Sequence, residues 1–213
     1  MGAVSPSALG AQASSGLLEE VREFLLDLRR ELPRVFPEAS RGRPRRIPFR
    51  GGELELRVVR GACARSSIRE TEAGLEILRS EEDGLRPQDL LREWYREKAR
   101  QAFSERAAHW AGLMGVGFSG IRIKDQRSLW GSCSRAGKLN FNWRLVMAPP
   151  EVLDYLVIHE LAHLLEMNHS RRFWACVCVW CPGHKAFRKW LREHGQELRS
   201  GVRGRTAPGR PLP

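Results

Sequence analysis

The sequence predicts an α+β domain in which a small antiparallel or mixed sheet packs on helices. Three observations carry this reading. Residues Glu53 to Val58, Ile121 to Lys124 and Leu139 to Leu145 alternate apolar and polar side chains with the period of a half-buried strand. Leu91, Tyr95, Ala99, Phe103, Ala107 and Trp110 recur about one helical turn apart. Between Val152 and Leu165 the polar residues are Asp154, His159, Glu160 and His163, with Tyr155 amphipathic, which is the pattern of a helix buried nearly all round.

The elements follow in chain order. At 213 residues and 42% hydrophobic, the chain can build one core of ordinary size, so a single domain with appendages is expected. Residues 1–15 are small, polar and aperiodic, and read as a disordered lead. Within 16–32, Leu17, Leu18, Val21, Phe24, Leu25, Leu28 and Leu32 follow helical spacing, with Glu19, Glu20, Arg22 and Arg29 opposite. This amphipathic helix either packs on the body or meets a partner. Residues 33–52, rich in proline and arginine, read as a linker, and the folded domain is expected over 53–198. Ser67 to Glu70 is a weaker strand and Leu75 to Leu78 another. Pro87, with fixed φ and no N–H to satisfy, starts a helix that runs to about Leu113. Gly137 sits in the turn before the last strand, and residues 199–213 form a disordered basic tail.

Charge and cysteine content narrow the function classes. The formal net charge of +11 suits non-specific contact with nucleic acid. Arginine, however, collects in Arg41 to Arg50 and Arg199 to Arg210, so much of that charge belongs to loose segments. No stretch approaches the roughly 20 apolar residues that span a bilayer, and no export signal is visible. Pro6 breaks the myristoylation pattern that Met1-Gly2 would open. Five cysteines, an odd number at irregular spacing, argue against a disulfide framework and for a cytoplasmic protein with reduced thiols. Oligomeric state is open.

The chemistry concentrates in His159-Glu160-Leu161-Ala162-His163. Histidines four apart share one helix face and can converge on one ion, while Glu160 projects beside them. Two neutral imidazoles hold Zn²⁺ without cancelling its charge, and a carboxylate accepts a proton from the water the ion activates. Glu160 is therefore the catalytic base rather than a ligand. A third ligand needs a turn in the backbone. Asn168 tolerates a left-handed helix end, and Ser170 is suited to cap a following helix through Phe173 and Trp174. His169 at that corner is the favoured third ligand, and Glu166, one turn beyond His163, is the alternative; Glu166 otherwise orients an imidazole or is solvated.

A family resemblance rests on these residues and their neighbours. Trp130-Gly131-Ser132-Cys133-Ser134, Asn142-Trp143-Arg144-Leu145, Ala148-Pro149, Asp154-Tyr155, the His159 to His163 motif and Asn168-His169-Ser170 with Phe173-Trp174 resemble the YgjP-like metallopeptidases, related in style to SprT proteins. The resemblance is tight over residues 120 to 195, loose over 53 to 113, and leaves 1 to 45 uncovered. It implies a zincin-like α+β fold, one zinc ion on His159, His163 and His169, and Glu160 as general acid/base for hydrolysis of a protein or peptide. It names no physiological substrate.

Other readings stand beside this one. Cys176, Cys178, Cys181 and His184 resemble half of a zinc knuckle and are candidates for a second metal site, against ordinary thiols. Cys133 is a conceivable nucleophile, although the resemblance gives it a structural place. Trp130 and Trp143 can stack on bases, but at strand spacing they suit a core. Arg188, Tyr155 and His184 are candidate oxyanion donors between which spacing does not choose. The stretch Ser128 to Cys133, or its hairpin partner Lys138 to Asn142, is expected to line the cleft and pair with an extended peptide. Two alternative functions are a metal-dependent ribonuclease, against which Glu160 weighs, and a DNA-associated SprT-like protease or binding module.

Overall fold

The structure is a computed structural model that describes residues 44–200 except residue 62. The amphipathic segment 16–32 and the tail beyond Ser200 lie outside the described residues. Within them the α+β expectation holds, with two small sheets and four α-helices.

The first sheet contains β1 (Arg45–Phe49), β2 (Gly52–Arg60), β3 (Ser67–Thr71) and β4 (Gly74–Arg79), in the order β1-β2-β4-β3. It is mixed, because β2 and β4 run parallel while β1 and β3 pair antiparallel with their neighbours. The central position of β4 buries Leu75 and Ile77 almost completely. Strand β1 corrects the expected linker over 33–52, part of which is sheet. Pro48 disguised it, yet proline is tolerated on an edge strand, where its missing N–H breaks no ladder. Arg50 and Gly51 turn the β1–β2 hairpin with φ of 50° and 76°, the positive pair that a tight two-residue turn requires.

Helix α1 (Pro87–Met114) starts on its proline as expected and ends at Gly115, whose φ of 66° supplies the left-handed cap. Its stripe of Leu91, Tyr95, Ala99, Phe103 and Ala107 is buried, with Trp110 half-buried at the end. The second sheet contains β5 (Gly120–Lys124), β6 (Gly131–Cys133) and β7 (Lys138–Asn142), with β7 central. Phe103 stacks on Phe141 at 4.2 Å between centroids and joins α1 to that central strand.

The alternation through Leu145 predicts strand, but the chain turns into a 3-10 helix at Trp143–Met147. Asn142 opens the way for the change. Its side-chain oxygen accepts from the Arg144 N–H at 3.1 Å, offering the backbone a helical start in place of the next ladder bond. The hairpin tip docks on this segment, with Arg50 N–H donating to Val146 O at 2.9 Å and Gly51 N–H to Met147 O at 3.1 Å.

Helix α2 (Pro150–Ala162) follows at once and runs through the core, burying Val152, Val157, Leu161 and Ala162 completely. The Arg106 guanidinium grips Asp154 through two 2.6 Å hydrogen bonds, fastening α1 to α2. Helices α3 (Arg171–Trp180) and α4 (His184–Ser200) close one side of the site. No helix among the described residues is long and apolar enough to cross a membrane.

Candidate metal centre and active site

Helix α2 ends at Ala162, earlier than its apolar pattern suggests, and His163 caps it. The backbone tightens there, as Leu164 N–H donates to Leu161 O at 3.0 Å and Leu165 N–H to Ala162 O at 3.1 Å. Asn168 does not take the expected left-handed conformation; Arg50 is the one non-glycine residue with positive φ among those described. Instead its side-chain oxygen accepts from the Ser170 N–H at 3.2 Å, an Asx turn that bends the chain by a side-chain route. Ser170 caps α3 as expected, accepting from Phe173 N–H at 3.2 Å.

This corner carries His169 back over α2. Its Nε2 lies 3.1 Å from His159 Nε2, and the donor atoms of His159, His163 and His169 all fall within 4.8 Å of one another. Two nitrogens at about 2.0–2.1 Å from one tetrahedral ion stand about 3.3 Å apart, so the spacing fits a shared metal. His163 Nδ1–H donates to the Glu166 carbonyl at 3.1 Å, which leaves Nε2 for the ion. Glu166 thus serves the site through its backbone, and its carboxylate is not in the cluster. Phe173 packs on His163 at 4.5 Å and Trp174 on His169 at 5.7 Å, so the first turn of α3 holds two of the rings.

The electrostatics suit metal ligation. Burial, helped by His163, His169 and Arg188, pushes the His159 imidazole down to about 3, and burial lowers His163 as well. Both rings are therefore neutral donors near neutrality. Glu160 is 3% exposed, and burial pushes its carboxyl up to about 8. Its Oε2 is buried without a hydrogen-bond partner, an expensive state for a polar atom with no task. Gly131 on β6 makes room for it, since a Cβ there would stand 2.5 Å from Glu160 Oε1.

A convergent imidazole triad beside a buried glutamate raises the question of kinship, and the comparison with protein families answers it. The YgjP-like metallopeptidase domain matches residues 4–194. The chain belongs to the YgjP-like metallopeptidase family. The match reaches into the first 45 residues, which the resemblance read from the motifs had left uncovered. Membership makes it a hydrolase of the metallopeptidase class, acting on peptide bonds of protein substrates. No curated protein matches the sequence significantly. The crystal structure of the metallopeptidase zymogen of Pyrococcus abyssi abylysin is similar, at 24% identity over 47% of this chain and 99% of that one, with a TM-score of 0.40.

In this YgjP-like domain a cleft of about 460 Å³ opens beside His159, walled by Trp130, Tyr155 and α4. Of the candidate oxyanion donors, Tyr155 and Arg188 line it, and His184 does not. The His184 ring is buried, bonded to the Cys181 carbonyl at 3.1 Å and stacked on Trp174 at 5.5 Å. Burial pushes the Tyr155 phenol up to about 12, which keeps it a neutral donor. Trp143 is core at 3% exposure, whereas Trp130 faces the cleft.

The half-knuckle does not assemble a second centre. Among the described residues the histidine triad is the one group of three donors close enough for an ion, and Cys176, Cys178 and Cys181 are free thiols outside it. Burial pushes the Cys133 thiol up to about 11, so it is a poor nucleophile near neutrality. Of the two candidate docking strands, β7 is paired on both sides, and β6 is an edge among the described residues. Sequence reasoning missed Gly131 as the seat of Glu160, and missed Arg192 and Arg199 in the cleft. Their helical spacing with Arg188 was the available signal.

Proposed function

We propose that this metallopeptidase is a zinc enzyme in which His159, His163 and His169 hold the ion and Glu160 acts as general base and then general acid. The observation that carries the proposal is the approach of His169 Nε2 to 3.1 Å from His159 Nε2, beside the unpartnered carboxylate of Glu160. Three convergent imidazoles form a donor set suited to zinc. When bound, zinc would polarise the scissile carbonyl and make an attacking water more acidic.

The chain's own residues supply the rest. Glu160 takes the proton of the attacking water at its free carboxylate oxygen and returns it to the leaving amine. The open edge of β6 offers backbone N–H and C=O groups to an extended peptide, holding the bond to be cut alongside Gly131. Tyr155 and Arg188, on the cleft wall next to His159, are placed to donate to the developing oxyanion. Five free thiols suit a reducing compartment, so we place the enzyme in the cytoplasm.

The test compares the purified protein with Glu160→Gln for zinc content and for cleavage of an unfolded protein such as casein. Wild type should carry about one equivalent of zinc, and the variant should keep it while losing about 10²–10⁴-fold in rate. Absence of zinc would end the zinc assignment. Equal rates would remove Glu160 from the mechanism.

A further inference from the structure

We infer that the cleft beside His159 is a subsite for a carboxylate of the substrate peptide, received by Arg188, Arg192 and Arg199. The inference rests on the peptidase reading and adds a substrate preference to it.

The cleft has a consistent charge. Arg188, Arg192, Gly195 and Arg199 fall three or four residues apart on α4, so helical geometry puts them on one face, and that face lines the cleft together with Trp130 and Tyr155. None of the eleven lining residues is acidic. The Lys189–Glu193 pair, at 3.8 Å, belongs to another face of α4. Among the described residues, none of the three arginines forms an ion pair, whereas Arg106 and Arg144 elsewhere do. Three like charges around one opening repel each other, and a bound anion relieves that repulsion.

Two of the guanidinium groups are held ready. Arg199 lies over the Trp130 ring with Cζ 4.7 Å from its centroid, and its Nη2 donates to Ser128 O at 3.2 Å. Its Nε is buried without a partner. Arg188 lies over Trp174 at 5.1 Å, and its charge is felt by both His159 and Tyr155. Stacking occupies the face of a guanidinium and leaves N–H donors along its edge, the fork that fits a carboxylate. Gly195 lets Trp130 come this close, because a Cβ there would stand 3.1 Å from the indole. An unmodified peptide carries only one kind of anion, the carboxylate of Asp, Glu or the chain end. Since His159 forms part of the cleft wall, the group received belongs to a residue within one or two positions of the cleaved bond, at about 3.3 Å of extended chain per residue.

The test uses zinc-loaded, full-length Glu160→Gln protein and decapeptides labelled with an uncharged boron-dipyrromethene dye, read by anisotropy at about 0.15 M salt to damp long-range attraction. One peptide carries internal Asp and Glu with an amidated end, one is its Asn and Gln counterpart, and one is that counterpart with a free C-terminal carboxylate. At least one carboxylate peptide should bind about tenfold more tightly than the uncharged peptide. The arm that shows the gain identifies the source as side chain or chain end. Arg188→Glu with Arg192→Glu should abolish the gain, and the milder Gln pair should weaken it; both side chains are exposed, so the fold should tolerate the changes. Arg60→Glu with Arg65→Glu, an equal charge change away from the cleft, should preserve it. Equal binding of all three peptides, or a gain that survives the Arg188/Arg192 reversal, overturns the subsite. So does a DNA decanucleotide that displaces the carboxylate peptides and itself depends on these arginines. Cleavage by wild type without the preference sinks the subsite alone, whereas the preference without any cleavage sinks the peptidase reading alone.

Discussion

Replacing Gly131 with alanine tests the proposed role of Glu160 from an unusual direction, by crowding the base instead of deleting it. The new Cβ would lie 2.5 Å from Glu160 Oε1 and 3.0 Å from its Cδ and Cγ. Ordinary contact begins near 3.4 Å, so the carboxylate must retreat by about 0.9 Å. The fold should notice little, at about 1 kcal/mol, because the yielding atoms are the tip of a flexible side chain. The chemistry should notice a great deal. A reacting group displaced by about 1 Å costs about 100-fold in rate, and at 3% exposure Glu160 has little room to find an equivalent pose. The assay is kcat and KM on an unfolded protein substrate, with zinc content and thermal midpoint measured on the same sample. A kcat within twofold of wild type would refute the reasoning. Loss of the ion or of the fold would show that Gly131 acts by some route other than the position of Glu160.

Other perturbations separate structure from chemistry. Arg106→Ala should destabilise by about 1–2 kcal/mol in urea melts, because it removes a bidentate, partly buried clamp between α1 and α2. Zinc content at low denaturant should not change. The carboxyl of Glu70 is held below the usual range by hydrogen bonds from Lys98 at 2.5 Å and Trp94 at 3.0 Å. A depressed folded pKa stabilises above the unfolded value of about 4.3 and loses that contribution as pH falls through the folded one. Wild type should therefore exceed Glu70→Gln in stability above the unfolded value, and the gap should narrow steadily as pH falls below it in urea midpoints; a constant gap would contradict this. Cys178→Ser with Cys181→Ser should leave metal content at about one equivalent, and a drop would revive the second site.

The site was more legible in the sequence than the sheets around it. Helical geometry is local, so the four-residue spacing of His159 and His163 and the cap at Ser170 could be read from a short window. The bend at Asn168 was legible too, but its means was not, since Asn can turn a chain through its side chain or through φ. Strand pairing depends on distant partners. Nothing near Glu55 announces that β4 will lie parallel beside it, and the Pro48 segment looks like linker until β2 is placed against it. Gly131 explains itself only once Glu160, twenty-nine positions later, lies over it. Asn142 was visible, yet its choice between ladder and cap is decided by the docked hairpin tip and the burial of Leu145.

The hairpin at Arg50–Gly51 also sets how short this protein can be made. A Cβ at Gly51 would touch Pro149 Cα at 3.0 Å, so the turn rests against the entrance of the ligand-bearing helix. A fragment begun at Glu53, where the alternation first becomes obvious, would leave the Val146 and Met147 carbonyls without their N–H donors. It would also turn β2 into a bare edge carrying Leu54, Leu56 and Val58, an invitation to strand-to-strand aggregation. The smallest fragment fit for carrying the histidine triad should begin ahead of Arg45.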